Sequence, residues 1–94
     1  MPAPPKVGDE VRPANGKRFT LSELQAYVGG FVEFSRVPDG RTMVSNEEGK
    51  LVGLLANVEA TIIYRQAWAG VSEWAAADTI VGDVLLCSPA EVGE

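Results

Sequence analysis

Histidine is absent from the 94 residues. That absence removes the commonest general base at neutral pH, the commonest metal ligand, and both the Ser-His and Cys-His nucleophile pairs. Carboxylate and lysine chemistry stay open. One cysteine, Cys87, leaves no partner for an internal disulfide and no cysteine zinc site. Cations are scarce: eight Lys and Arg stand against thirteen Asp and Glu, a net charge of −5. Without a basic patch, direct binding to nucleic-acid phosphates is not expected. No apolar run approaches the ~18 residues of a membrane span. The opening Met1-Pro-Ala-Pro-Pro-Lys lacks the apolar core of a secretory signal. A cytoplasmic protein with no membrane association is the expectation.

What remains is an ordinary globular composition, 46% hydrophobic. A single domain of this size buries roughly 60–65% of its unfolded surface. Its acidity has a plain reading, a soluble surface, and a sharper one, mimicry of nucleic acid toward a basic partner. The carboxylates are spread along the chain and form no array, which favours the plain reading.

The stretch from Phe19 to Gly49 carries the clearest signals. Thr20 is suited to cap a helix, and Glu23, three residues on, completes a capping box. Phe19 and Leu24 occupy the positions of a hydrophobic staple. Leu21, Leu24, Tyr27 and Val28 form one apolar stripe, and Gly29-Gly30 ends the helix. Phe31 to Val37 and Arg41 to Ser45 are rich in strand formers, and Pro38-Asp39-Gly40 between them is a turn, so a β-hairpin follows. Asn46 to Gly49 makes a second turn, with Asn46 placed to start an Asx-turn.

Around this stretch the pattern predicts the rest. Residues 1–7 read as a flexible segment, 8–88 as the domain and 89–94 as a tail. Gly8 to Pro13 reads as a short edge strand, and Asn15-Gly16 as a turn. Lys50 to Leu55 fits either a third strand or an extended connection. Asn57 is placed to cap a second helix over Val58 to Trp68, with Ala60, Ile63, Tyr64, Ala67, Trp68 and Val71 at helical spacing. The β-branched run Thr61-Ile62-Ile63 makes a strand the competing reading. Asp78 to Ser88 reads as a central strand with Ile80, Val84 and Leu86 on one face and Val81, Leu85 and Cys87 on the other. If both helices covered one face, the other would need a partner chain or the Trp-bearing segment, which motivates a homodimer. The expected fold is α+β: an antiparallel sheet of four to five short strands with two helices, or alternatively a ferredoxin-like split β-α-β arrangement.

Four segments in order carry a resemblance. They are Leu21-x-x-Leu24-Gln25 closing on Gly29-Gly30, and Asn46-Glu47-Glu48-Gly49-Lys50 after the hairpin. Then come Gly53-Leu54 before Asn57-x-x-Ala60-Thr61, and Asp78-x-Ile80-Val81-Gly82-Asp83. Over roughly Val11 to Leu86 the chain resembles the family called domain of unknown function 3846. The resemblance implies a gene of phage, plasmid or mobile-element type. It transfers no catalytic residue. Leu55, where that family often has proline, and the Gln66 to Ala77 insertion with both tryptophans are departures.

Candidate sites follow from the polar and aromatic residues. Asn46-Glu47-Glu48-Gly49 is the densest polar group; a ligand site with Glu47 competes with a solvated turn, and a calcium loop would need more oxygen ligands. Asn57 is a ligand candidate or a helix cap. Asp83 beside Gly82 is a ligand candidate or a bulge residue, and a neighbouring Glu33 would make a carboxylate pair. Tyr64, Trp68 and Trp74 are candidates for a partner interface, with core packing as the alternative. Cys87 reads as a buried strand residue, since no cationic setting adjoins it. No catalytic residue, metal or cofactor is expected. The functional expectation is a non-enzymatic protein-interaction protein. A small-molecule or nucleotide binder and an acidic nucleic-acid mimic are the alternatives.

Overall fold

The computed structural model describes residues 4–8 and 11–92. The elements run β1 (Val7–Gly8), α1 (Leu21–Val28), β2 (Val32–Arg36), β3 (Thr42–Asn46), α2 (Val58–Trp68) and β4 (Val84–Cys87). Short 3-10 turns lie at Ala75–Ala77 and Pro89–Val92. Sheet and helices together make an α+β fold.

The local signals produce the first half of the chain. Thr20 accepts from the Glu23 amide at 3.1 Å, and the Glu23 carboxylate accepts from the Thr20 amide at 2.9 Å, closing the capping box. Amide hydrogen bonds to its carboxylate, from Thr20 first and then from Ala14 at 3.0 Å, hold the Glu23 carboxyl below its usual range. Gly29 ends α1 with φ +78°, and its amide donates to the Gln25 carbonyl at 2.9 Å. Only glycine takes that left-handed conformation without Cβ strain. Leu24 and Val28 are buried and Tyr27 half-buried, while Leu21, in the first turn, is exposed. Burying a side chain such as Leu24 stabilises by about 1.5–3 kcal/mol. The hairpin pairs Val32 with Asn46 through Arg36 with Thr42.

The sheet order is β1-β4-β3-β2. It has four strands and is mixed, a correction to the antiparallel expectation. β2, β3 and β4 are antiparallel, but β1 joins β4 in parallel. The anchor of that pairing is Lys6, whose carbonyl accepts from the Val84 amide at 3.1 Å. The β-α-β-β-α-β order is present, yet both β4 and β3 stand between β1 and β2. A split β-α-β unit sets a single strand there. The bonded first strand lies earlier than Gly8 to Pro13; of that range Asp9 and Glu10 fall outside the described residues.

Successive residues point to opposite faces of a strand, and each face has its own core. Val44, Leu85 and Cys87 pack with Phe19, Leu24 and Val28 under α1. Met43 and Val84 pack with Ala60, Ile63 and Tyr64 under α2. The helices therefore cover opposite faces, and the argument for a homodimer from a bare face does not apply.

Two stretches differ from the sequence pattern. Residues 50–53 form turns, and no strand spans 50–55. Residues 78–88 hold a strand only over Val84–Cys87, because Gly82 at φ +75° breaks the extended run. Before it, Ala56 pairs with Val81 as an isolated antiparallel bridge. The Asn57 amide donates to Ile80 and the Gly82 amide to Leu55, both at 2.8 Å. The segment read as a tail is docked: the Phe19 amide donates to the Glu91 carbonyl at 2.8 Å, and Val92 packs on the first core.

Candidate functional site

Helix α2 and the two chain segments after β3 and before β4 build the polar surface. Arg65, in the last turn of α2, donates from Nε to the Asp78 carbonyl at 2.9 Å and from a guanidinium nitrogen to Thr79 Oγ1 at 3.2 Å. This fixes residues 77–79 against the helix. The Asx-turn at Asn46 bends the other segment back: the Glu48 amide donates to Asn46 Oδ1 at 2.8 Å. Lys50 then meets Asp78, with Nζ 2.7 Å from Oδ1. The Lys50 ammonium holds the Asp78 carboxyl below its usual range, with burial opposing.

Between these segments and the α2 face of the sheet lies a groove of about 140 Å³. Glu33, Ser35, Ser45, Glu47, Lys50 and Asp78 line it, so three carboxylates face one ammonium. A second, more open recess of about 350 Å³ shares Lys50 and Asp78 and is bounded by Trp74 and Ala77.

Trp74 is 89% exposed, although its backbone is well tied. The Ala75 amide donates to Ser72 Oγ at 3.2 Å and the Ala76 amide to the Ser72 carbonyl at 2.9 Å. Leu51, beside Lys50, is 86% exposed. An ordered backbone therefore presents a bare indole and a bare leucine beside an acidic groove.

The other two aromatics behave differently. Tyr64 and Trp68 are half-buried, their ring centroids 6.2 Å apart at 52°. Tyr64 packs against the second core. Burial, then the Asp78 charge, pushes the Tyr64 hydroxyl pKa up. The Trp68 indole N–H is buried and has no hydrogen-bond partner among the described residues.

The structure does not gather Glu47, Asn57 and Asp83 into one cavity. Glu47 is exposed and lines the groove. Asn57 is fully buried: Nδ2 donates to the Lys6 and Gly82 carbonyls at 3.0 and 2.8 Å, and Oδ1 accepts from the Ala60 amide at 2.9 Å. Both its donors are used, and it has no surface to offer a ligand. Asp83 accepts from the Lys6 amide at 3.0 Å and borders a different recess with Leu54 and Gly82. Glu33 faces the groove with Glu47, as Asp83 does not. Cys87 is 2% exposed, and burial raises its thiol to about 11.

Lys50, Asp78 and Arg65 were not legible as site residues. Lys50 and Asp78 lie 28 positions apart, and no local spacing signal joins them. Among the described residues, no group of three or more Cys, Asp or Glu is placed to hold a metal ion. No helix among them is long and apolar enough to cross a membrane.

A search of curated proteins found no match. A search of solved structures found none either. The family model described as domain of unknown function (DUF3846) matches residues 4–94, nearly the whole length. The chain belongs to the DUF3846 family.

Proposed function

We propose that this is a non-enzymatic interaction protein that docks a basic segment of a partner protein. The observation that carries the reading is Trp74, 89% exposed on a tied turn beside the acidic groove. Tryptophan buries much area at little entropic cost and is enriched among binding hot spots. Glu33 and Glu47, with Asp78 already opposed by Lys50 and by the nearby Arg65 guanidinium, supply complementary charge for Lys or Arg of the partner. A role as accessory or host-modulating protein of a phage, plasmid or other mobile element, acting in the cytoplasm, extends the same reading. The groove of about 140 Å³ falls below the ~300–1,000 Å³ usual for small-molecule sites, and the adjoining recess of about 350 Å³ is open to solvent, so a nucleotide sponge is the weaker proposal.

The test is affinity capture at native salt with the wild-type chain and the Trp74→Ala variant side by side. A partner held by the first and lost from the second supports the proposal. Capture of nothing, or equal capture by both, counts against it.

A further inference from the structure

Lys50 and Asp78 line both the acidic groove and the recess beside Trp74, so their ion pair stands where the two meet. The two halves of that pair are held differently. Asp78 is fixed through its backbone, since Arg65 donates from Nε to the Asp78 carbonyl at 2.9 Å. Its carboxylate is aimed by the Thr79 amide, which donates to Oδ1 at 2.8 Å. Neither bond involves Lys50. Lys50 lies in the turn that follows β3 and reaches Asp78 over a four-carbon stem, with its side chain 62% exposed. An exposed pair of this kind adds little net stability, because water competes for both charges and two side chains lose freedom. The carboxylate therefore stays in place if the ammonium leaves, and the ammonium leaves at little cost.

We infer that Lys50 is a built-in competitor: it holds Asp78 in the free chain and is displaced by an arginine of the partner protein. This inference rests on the reading that Trp74 and the groove dock a basic segment. The arriving guanidinium takes the Asp78 carboxylate and lies against the Trp74 indole, which bounds the same recess. An arginine fits this position better than a lysine for two reasons. Its planar fork makes two parallel N–H···O bonds to one carboxylate, where an ammonium acts as a point charge. Its flat face also stacks on an aromatic ring, and tryptophan is the best aromatic partner for a cation. The displaced Lys50 ammonium is not stranded, because Glu33 and Glu47 line the groove with it. The exchange therefore keeps the number of ion pairs and gains the bidentate geometry and the indole contact. A cation that joined the site without displacing Lys50 would meet it as a like charge.

An NMR titration of the full chain with the peptide acetyl-Gly-Leu-Arg-Leu-Gly-amide, taken to millimolar concentration, tests the exchange. The Trp74 indole N–H and the backbone amides around Asp78 report binding. The same peptide with lysine in place of arginine should bind severalfold more weakly. Trp74→Ala should weaken binding of the arginine peptide about thirtyfold. Lys50 is exposed, so its substitutions spare the fold. Lys50→Met removes the competitor and should tighten binding about threefold; Lys50→Arg keeps the charge but grips Asp78 with a fork of its own, and should weaken binding about threefold. Charge repulsion alone would leave Lys50→Arg equal to the wild type. Binding that depends on Trp74 but is unmoved by Lys50→Arg overturns the inference and leaves the docking reading standing. So does equal affinity for the two peptides. No binding of either peptide, or binding indifferent to Trp74→Ala, overturns both.

Discussion

Replacing Asn57 with alanine removes three hydrogen bonds from a position with no exposed surface. The Lys6 carbonyl keeps its bond from the Val84 amide, so its loss is small. The Gly82 carbonyl and the Ala60 amide lose the partners they had at 2.8 and 2.9 Å. A buried group left unsatisfied costs about 1–3 kcal/mol, and loss of a helix N-cap about 0.5–2 kcal/mol. With overlap between the two at Ala60, the sum is about 3–5 kcal/mol. Small domains hold about 5–15 kcal/mol in all. The urea midpoint should fall by about 2 M, taking a slope of about 1–3 kcal/mol per M. The companion Asn57→Asp keeps the acceptor for Ala60 but loses both donors and buries a charge. It should be at least as destabilising at pH 7, and partly relieved as the pH falls and the carboxyl protonates. A loss below about 1 kcal/mol in Asn57→Ala would refute the assignment of Asn57 as the residue that ties β1, α2 and the Gly82 turn together.

Three further outcomes follow from the same geometry. Gly82→Ala forces φ +75° on a residue with a Cβ, 2.7 Å from Leu54 Cδ1, whereas Gly53→Ala at φ +74° meets open space. Left-handed backbone costs about 1–2 kcal/mol, so the Gly53 variant should lose about that much and the Gly82 variant clearly more in the same urea assay. Cys87 should resist alkylation at pH 8 until the chain unfolds. Its thiol, raised from 9.0 to about 11, also makes the fold lose stability as pH rises from about 9 to about 11, because the unfolded chain ionises first. Trp74→Ala should change stability by no more than about 0.5 kcal/mol, and acrylamide should quench Trp74 freely in the wild type but not Trp68. A large stability loss in that variant would place the indole in the core.

Much of the fold was legible because its cues are local. Thr20 and Glu23 lie within one turn, Pro38-Asp39-Gly40 within one hairpin, and Asn57 next to the helix that it caps. The alternation of Val84, Leu85 and Cys87 was also readable, since adjacent strand residues always diverge. Pairing direction was not. Nothing in Val7-Gly8 announces that Lys6 will run parallel to β4, because Asn57 and Asp83 fix it from distant positions. Gly82 was recognised as a bulge candidate, but its left-handed break depends on Leu54 closing over it. At the candidate site, Glu47 and Trp74 were visible as residue types; the Lys50–Asp78 pair that joins them was not. The Asn57 amide, named as a ligand candidate, is consumed by the fold.

Selection of a random displayed-peptide library against the immobilised chain tests the central claim most directly. The account predicts enrichment of peptides carrying Lys or Arg next to an apolar residue. Their affinity should fall roughly thirtyfold for Trp74→Ala, as for a hot spot of about 2 kcal/mol. No enrichment, enrichment of acidic or uncharged peptides, or affinity unmoved by the Trp74 substitution would contradict it.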